Sequence, residues 1–120
     1  EEAMKYFSES LSVSQKHNYC QDEARALNNI GNIHRKSSDY KTALQHYKDS
    51  LQINEQLQNI EEQAINTLNI GLVYANLAQY QQALTYYEQA LTMIHEIDDK
   101  KGEETVLTNI GMMYAIFRKL

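Results

Sequence analysis

A forty-residue period runs through the whole of this chain. The tripeptide Asn-Ile-Gly ends at Gly31, Gly71 and Gly111, and a ring follows three residues later each time, at His34, Tyr74 and Tyr114. Shifting the sequence by the same step aligns Ala3 with Ala43 and Ala83, Met4 with Leu44 and Leu84, Phe7 with Tyr47 and Tyr87, and Leu11 with Leu51 and Leu91. A fixed period of this size belongs to stacked repeats, in which each unit buries its apolar face only against its neighbours. The functional question therefore moves from a catalytic pocket to a binding surface.

Within a unit the apolar residues recur three and four apart, as in Leu27, Ile30, Gly31 and His34, and again in Tyr40, Ala43, Leu44, Tyr47 and Leu51. That is the period of a helix, not the alternation of a strand. Each unit is read as two helices. The spacing predicts helix to about residue 18, then about 21–37, 40–57, 61–77, 80–97 and 101–118, six antiparallel helices with no strand. Turns are expected at Ser37-Ser38-Asp39, where Ser38 or Asp39 can cap the next helix, and at Leu77-Ala78-Gln79, which has no good cap. Between units they are expected near Asn18 to Gln21, Gln58 to Glu61, and Ile97 to Gly102, the last with Asp98, Asp99 and Gly102 as turn formers. The chain has no proline to stop a helix.

One domain covers residues 1–120. It divides into 1–20, the second helix of an incomplete unit; 21–60 and 61–100, two full units; and 101–120, the first helix of another incomplete unit. The phase at both ends implies a piece of a longer protein. With 42% hydrophobic residues the chain can build a core without staples, and its single cysteine, Cys20, excludes an internal disulfide and fits a reducing, cytoplasmic setting. A net charge of -5 argues against nucleic acid or an anionic membrane as partner, since both need clustered cations. No apolar run is long enough for a membrane span and no signal peptide is visible.

These residues resemble the tetratricopeptide repeat, whose signature sets Leu-Gly and then an aromatic in the first helix, and Ala, an aromatic and Ala in the second. The corresponding residues are Ile30-Gly31, His34, Ala43, Tyr47 and Ser50 in one unit and Ile70-Gly71, Tyr74, Ala83, Tyr87 and Ala90 in the next. The resemblance covers the whole chain. Leu27, Thr67 and Leu107 stand where a bulky aromatic is usual, His34 replaces a Tyr, and Ser50 replaces an Ala. The unit exceeds the usual 34 residues by six, roughly one and a half helical turns. In that respect it is similar to the repeats of kinesin light chain and of spindle-orienting scaffolds. The implied fold is all-α, a right-handed superhelical solenoid of antiparallel helix pairs.

The resemblance also implies a peptide-binding groove lined by the first helix of each pair. Its residues in the first unit are Arg25, Asn28, Asn29, Asn32 and Lys36. The second contributes Ile65, Leu68, Asn69, Leu72 and Asn76, and the third Thr105, Thr108, Asn109 and Met112, with Ile116 beyond. Asn29, Asn69 and Asn109 form a ladder whose amides can donate to and accept from a peptide backbone whatever its sequence, or can tie helices together. Relatives that grip the C-terminal carboxylate of chaperones use two Asn among Lys and Arg. Asn32 and Asn69 match those Asn, but Asn28, Thr105 and Asn109 stand in the cation places, so no such clamp is expected.

Other chemistry is thinly represented. His17, His34, His46 and His95 show no metal-ligand spacing on one helix, and His34 reads as a core substitute for Tyr. Cys20 is placed in a turn without a base nearby, and the carboxylate pairs Glu61-Glu62, Asp98-Asp99 and Glu103-Glu104 fall at helix starts or turns. Tyr40, Tyr47, Tyr74, Tyr80 and Tyr87 read as core, and Tyr86 as exposed. No enzyme, cofactor or metal is expected. The expected function is a protein-interaction module or scaffold binding a partner's peptide segment; the alternative is a peptide-responsive sensor domain of a signalling protein. Ala3, Phe7 and Leu11 at one end and Met113, Ile116, Phe117 and Leu120 at the other are expected to be partly uncovered, favouring head-to-tail self-association.

Overall fold

A computed structural model describes the backbone of residues 2–119 and the side chains of residues 16–119. Five helices follow in chain order: α1 Glu2–Lys36, α2 Tyr40–Gln56, α3 Ile60–Asn76, α4 Tyr80–Glu96 and α5 Lys100–Lys119. Each packs on its neighbours in sequence, and α1 also touches α3. The result is an elongated array of 71 × 32 × 17 Å. No strand occurs among the described residues.

The four turns are copies of one another. The N–H of Asp39, Asn59, Gln79 and Asp99 reaches back to the carbonyl of His34, Asn54, Tyr74 and Ile94 at 2.8, 3.0, 2.9 and 3.2 Å. This is the Schellman closure of a helix, and it needs the preceding residue in the left-handed region. Ser38, Gln58, Ala78 and Asp98 supply it with φ of 64, 57, 61 and 53°. None is glycine, so each turn carries local strain that the packing of the helix pair must outweigh. The expected Asp39 cap makes no side-chain hydrogen bond. Instead Asn59 accepts from the Glu62 N–H at 3.2 Å and Asp99 from the Gly102 N–H at 3.0 Å. Gly102, expected in the turn, lies within the first turn of α5.

Asn18 occupies the same place in the twenty-residue turn register, yet no turn forms there. The break expected between Asn18 and Gln21 is absent, α1 is continuous over 35 residues, and the expected six helices are five. Lys16 to Gln21 contain neither Gly nor Pro, so nothing local stops the helix. Elsewhere the reversal is driven by packing. Cys20 therefore sits inside a helix, half-buried, and not in a turn. Ala3, Met4, Phe7, Leu11 and Leu120, named above from the repeat, have side chains outside the described residues.

The small residues of the period are explained by two rings. A Cβ added to Gly31 would lie 2.6 Å from Tyr47 Cε1, and one added to Gly71 would lie 2.7 Å from Tyr87 Cδ1. Tyr47 and Tyr87 are buried against those glycines, with Ala43 and Ala83 fully enclosed one turn earlier. Ala43 and Tyr47 form one core with Ile70 and Val73 of the following helix. A second core joins Ala64, Ala83, Tyr87, Ala90 and Ile94 to Val106 and Met113. Each second helix is thus clamped between two first helices, its own and the next. Tyr40, Tyr74 and Tyr80, expected in the core, are half-buried at its edge.

Candidate functional site

The groove residues named from the sequence stand on α1, α3 and α5, and the structure treats them unequally. Ile65, Leu68 and Thr105 come together around a partly open cavity of about 190 Å³, lined also by Ala64, Ile94, Ile97 and Gly102 and by the carboxylates Glu61 and Asp99. Its wall is mostly aliphatic. Met112 is 56% exposed and Leu72 half-buried against the core. Asn29, Lys36 and Asn76 are exposed, and Asn109 is half-buried. Arg25 is exposed with Nε 3.9 Å from Glu62 Oε1, a loose pair that solvent screens.

Several polar groups of the groove are already committed within the protein. Asn32 Oδ1 accepts from the Tyr47 hydroxyl at 2.5 Å, and Arg35 Nε donates to the same hydroxyl at 3.2 Å. The Thr105 and Thr108 hydroxyls donate back to the Lys101 and Glu104 carbonyls of their own helix, at 3.2 and 2.8 Å. Of the Asn ladder, Asn69 donates to Asn28 Oδ1 at 3.0 Å, across two first helices. One rung thereby links repeats, while its carbonyl and second N–H stay available to a ligand.

Behind Asn28 lies a polar network that the sequence reading did not find. Asn66, fully buried, donates to Asn28 Oδ1 at 3.0 Å and to Ser50 Oγ at 2.9 Å, and accepts from Asn54 Nδ2 at 2.6 Å. Ser50 in turn donates to the Ala24 carbonyl at 2.6 Å, and Gln63 to the Asn54 carbonyl at 3.2 Å. All three hydrogen-bonding functions of Asn66 are used, as burial requires. The signal was present in the sequence: Ser50 replaces the usual Ala, and Asn66 shares its repeat place with Ala26 and Val106. Two polar departures at apolar places mark a pair that satisfies each other.

The histidines also behave differently from expectation. His34 and His46 stack at 5.3 Å with planes 17° apart, across α1 and α2, where Tyr74 and Tyr86 stack at 5.3 Å and 8° in the next unit. His34 is half-buried, not core; its Nδ1 lies 3.4 Å from Asp39 Oδ2. Tyr86, expected to be exposed, is half-covered by Tyr74. Among the described residues no three His, Cys, Asp or Glu side chains gather as metal ligands. No helix of the described residues is long and apolar enough to cross a membrane.

An all-α array of helix pairs, with buried polar ties linking α2 to α1 and α3 and Asn28 of α1 tied to Asn66 and Asn69 of α3, is the architecture of a helical-repeat interaction protein. The family model of the tetratricopeptide repeat matches residues 1–56 and 63–119, nearly the whole chain, and the chain belongs to that family. It is a protein-interaction repeat, and the family is typically non-enzymatic. No curated protein matches the chain.

Proposed function

We propose that this module binds an extended peptide segment of a partner protein along the faces of α1, α3 and α5, seating an apolar side chain in the cavity between α3 and α5. The observation that carries this is the convergence of Ile65, Leu68 and Thr105 on one aliphatic cavity at the end of α4. A cavity of that kind takes up apolar surface at about 25 cal/mol per Å² buried, while the Asn amides add hydrogen bonds of about 0.5 to 1.5 kcal/mol each. Burying one aliphatic side chain is worth about 1.5 to 3 kcal/mol, comparable to two or three such bonds, so the anchor sets the apolar preference and the ladder sets register. A chaperone-type acidic tail does not suit the groove, because Asn28, Thr105 and Asn109 lack charge and Asn32 is held by Tyr47.

Selection from a displayed peptide library, followed by calorimetry, tests the reading. Peptides enriched by the wild type should carry a Leu, Ile, Met or Phe anchor and should bind the Leu68→Lys variant at least tenfold more weakly. Equal affinity for both proteins, or enrichment of peptides that Ile65→Lys and Leu68→Lys leave unaffected, would overturn it.

A further inference from the structure

The places between successive first helices correspond in the period but are furnished differently. Between α1 and α3 the protein sets its own polar groups. Arg25 Nε lies 3.9 Å from Glu62 Oε1, and Asn28 and Asn54 are both tied to Asn66. Forty residues on, Arg25 becomes Ile65, Glu62 becomes Gly102, Asn28 becomes Leu68 and Asn54 becomes Ile94. Between α3 and α5 the polar filling is replaced by aliphatic walls, and the cavity of about 190 Å³ is what they leave.

Charge is redistributed in the same exchange. The place that has lost the Arg25 cation has gained two carboxylates, Glu61 where α1 has Gln21 and Asp99 where the preceding turn has Asn59. Asp99 keeps the capping role of Asn59, its Oδ1 accepting from the Gly102 N–H at 3.0 Å. Its Oδ2 takes space that a side chain at 102 would need, 2.6 Å from where a Cβ would lie. Gly102 therefore lets a carboxylate rest against α5 at the cavity wall. Neither Glu61 nor Asp99 has an ion-pair partner among the described residues. The nearby basic side chains lie elsewhere. Lys100 is 3.6 Å from Asp98, His95 is 3.4 Å from Glu103, and Lys101 does not line the cavity. Two negative charges beside an apolar cavity, with no cation among its lining residues, favour a ligand of opposite charge.

We propose that the partner segment bound here is basic beside its apolar anchor. A Lys or Arg within two residues of the side chain seated in the cavity meets Glu61 and Asp99, supplying the cation that Arg25 supplies between α1 and α3. Successive residues of an extended peptide advance by about 3.3 Å, so such a neighbour stays within reach of the cavity mouth. Its aliphatic stem can lie along Ile65 and Ile97, which are 39% and 36% exposed, while the charged head remains in water by the carboxylates. An acidic neighbour would place like charges together and be rejected. This inference rests on the peptide-groove reading and adds the sign of charge that the groove selects.

Displayed-peptide selection against the wild type and against a Glu61→Gln/Asp99→Asn double variant tests it, with calorimetry on the selected peptides. Both substitutions install the residue found one unit earlier, Gln21 and Asn59, so the helix and its cap are kept, as circular dichroism should confirm. Peptides enriched by the wild type should carry Lys or Arg within two residues of the anchor. On the double variant they should bind about three- to tenfold more weakly, a difference that shrinks at about 0.5 M salt. The double variant should itself enrich the same anchors without the cation. Leu68→Asn, which installs the residue of Asn28 without changing charge, separates the two readings. Peptides weakened by Leu68→Asn but not by the double variant, or flanked by neutral or acidic residues, overturn the basic flank and leave the groove standing. Peptides that Leu68→Asn leaves unaffected, or a selection that enriches none, overturn both.

Discussion

Three glycines at the same place in the period have different energetic meanings. At Gly71 an added methyl would sit 2.7 Å from two Tyr87 ring atoms and 3.3 Å from the Ala83 carbonyl oxygen. The ring is buried and cannot yield, so Gly71→Ala should destabilise by about 1 to 3 kcal/mol, as overpacking does. At Gly111 an added methyl would meet nothing within 4 Å, and there Gly→Ala should stabilise this chain by up to about 1 kcal/mol through helix propensity alone. Urea unfolding of the two variants should give shifts of opposite sign. Tyr87 offers a second test. Burial pushes its hydroxyl up from the ordinary 10.0 to about 12, against a smaller lowering by Arg35. The unfolded chain ionises first, so the stability tied to this group is complete below pH 10 and falls as the pH rises toward 12. Two pKa units correspond to a loss of about 2 to 3 kcal/mol at the upper end. Comparing wild type with Tyr87→Phe across that range should isolate the loss, and parallel curves would argue against it.

At the scale of the helix, local sequence and tertiary packing divide the work. The boundaries of α2 to α5 fall within a residue or two of those read from spacing, because three- and four-residue apolar recurrence fixes which face is buried. The turn at Ala78 was legible only through the period, whereas those at Ser38 and Asp98 also carried local turn formers; Ser38, Gln58, Ala78 and Asp98 share no side-chain chemistry, yet all take positive φ. Asn18 tolerates that conformation as well as any of them and stays helical, since a turn residue permits a reversal without imposing it. The Asn66 network shows the same limit within the site. Sequence spacing placed Asn28 and Asn69 on one face, but their mutual bond and the link to Ser50 depend on the distance between helices. Asn66→Ala would leave Asn54 Nδ2 without its acceptor inside the core and remove one of the two N–H donors that Asn28 accepts. It should destabilise by about 2 to 4 kcal/mol, read as a lower urea midpoint with the same slope.

For the molecule as a whole, nearest-neighbour contacts make stability and shape nearly additive along the array. The period by itself determined the fold class, the family and the pairing of α2 to α5, because units that carry the same apolar pattern bury the same face. It also singled out the first-helix stripe that we propose as the ligand face. Tertiary structure decided what the stripe has left to offer. Asn32 goes to Tyr47, Asn69 is partly held by Asn28, and Thr105 and Thr108 turn to their own backbone, so the aliphatic cavity beside Leu68 carries the binding reading. It also decided the fate of residues 2–17, which carry a second-helix pattern but continue α1. A pattern records which face of a helix is to be buried. Which helix buries it depends on what lies within reach, and that is settled only in three dimensions.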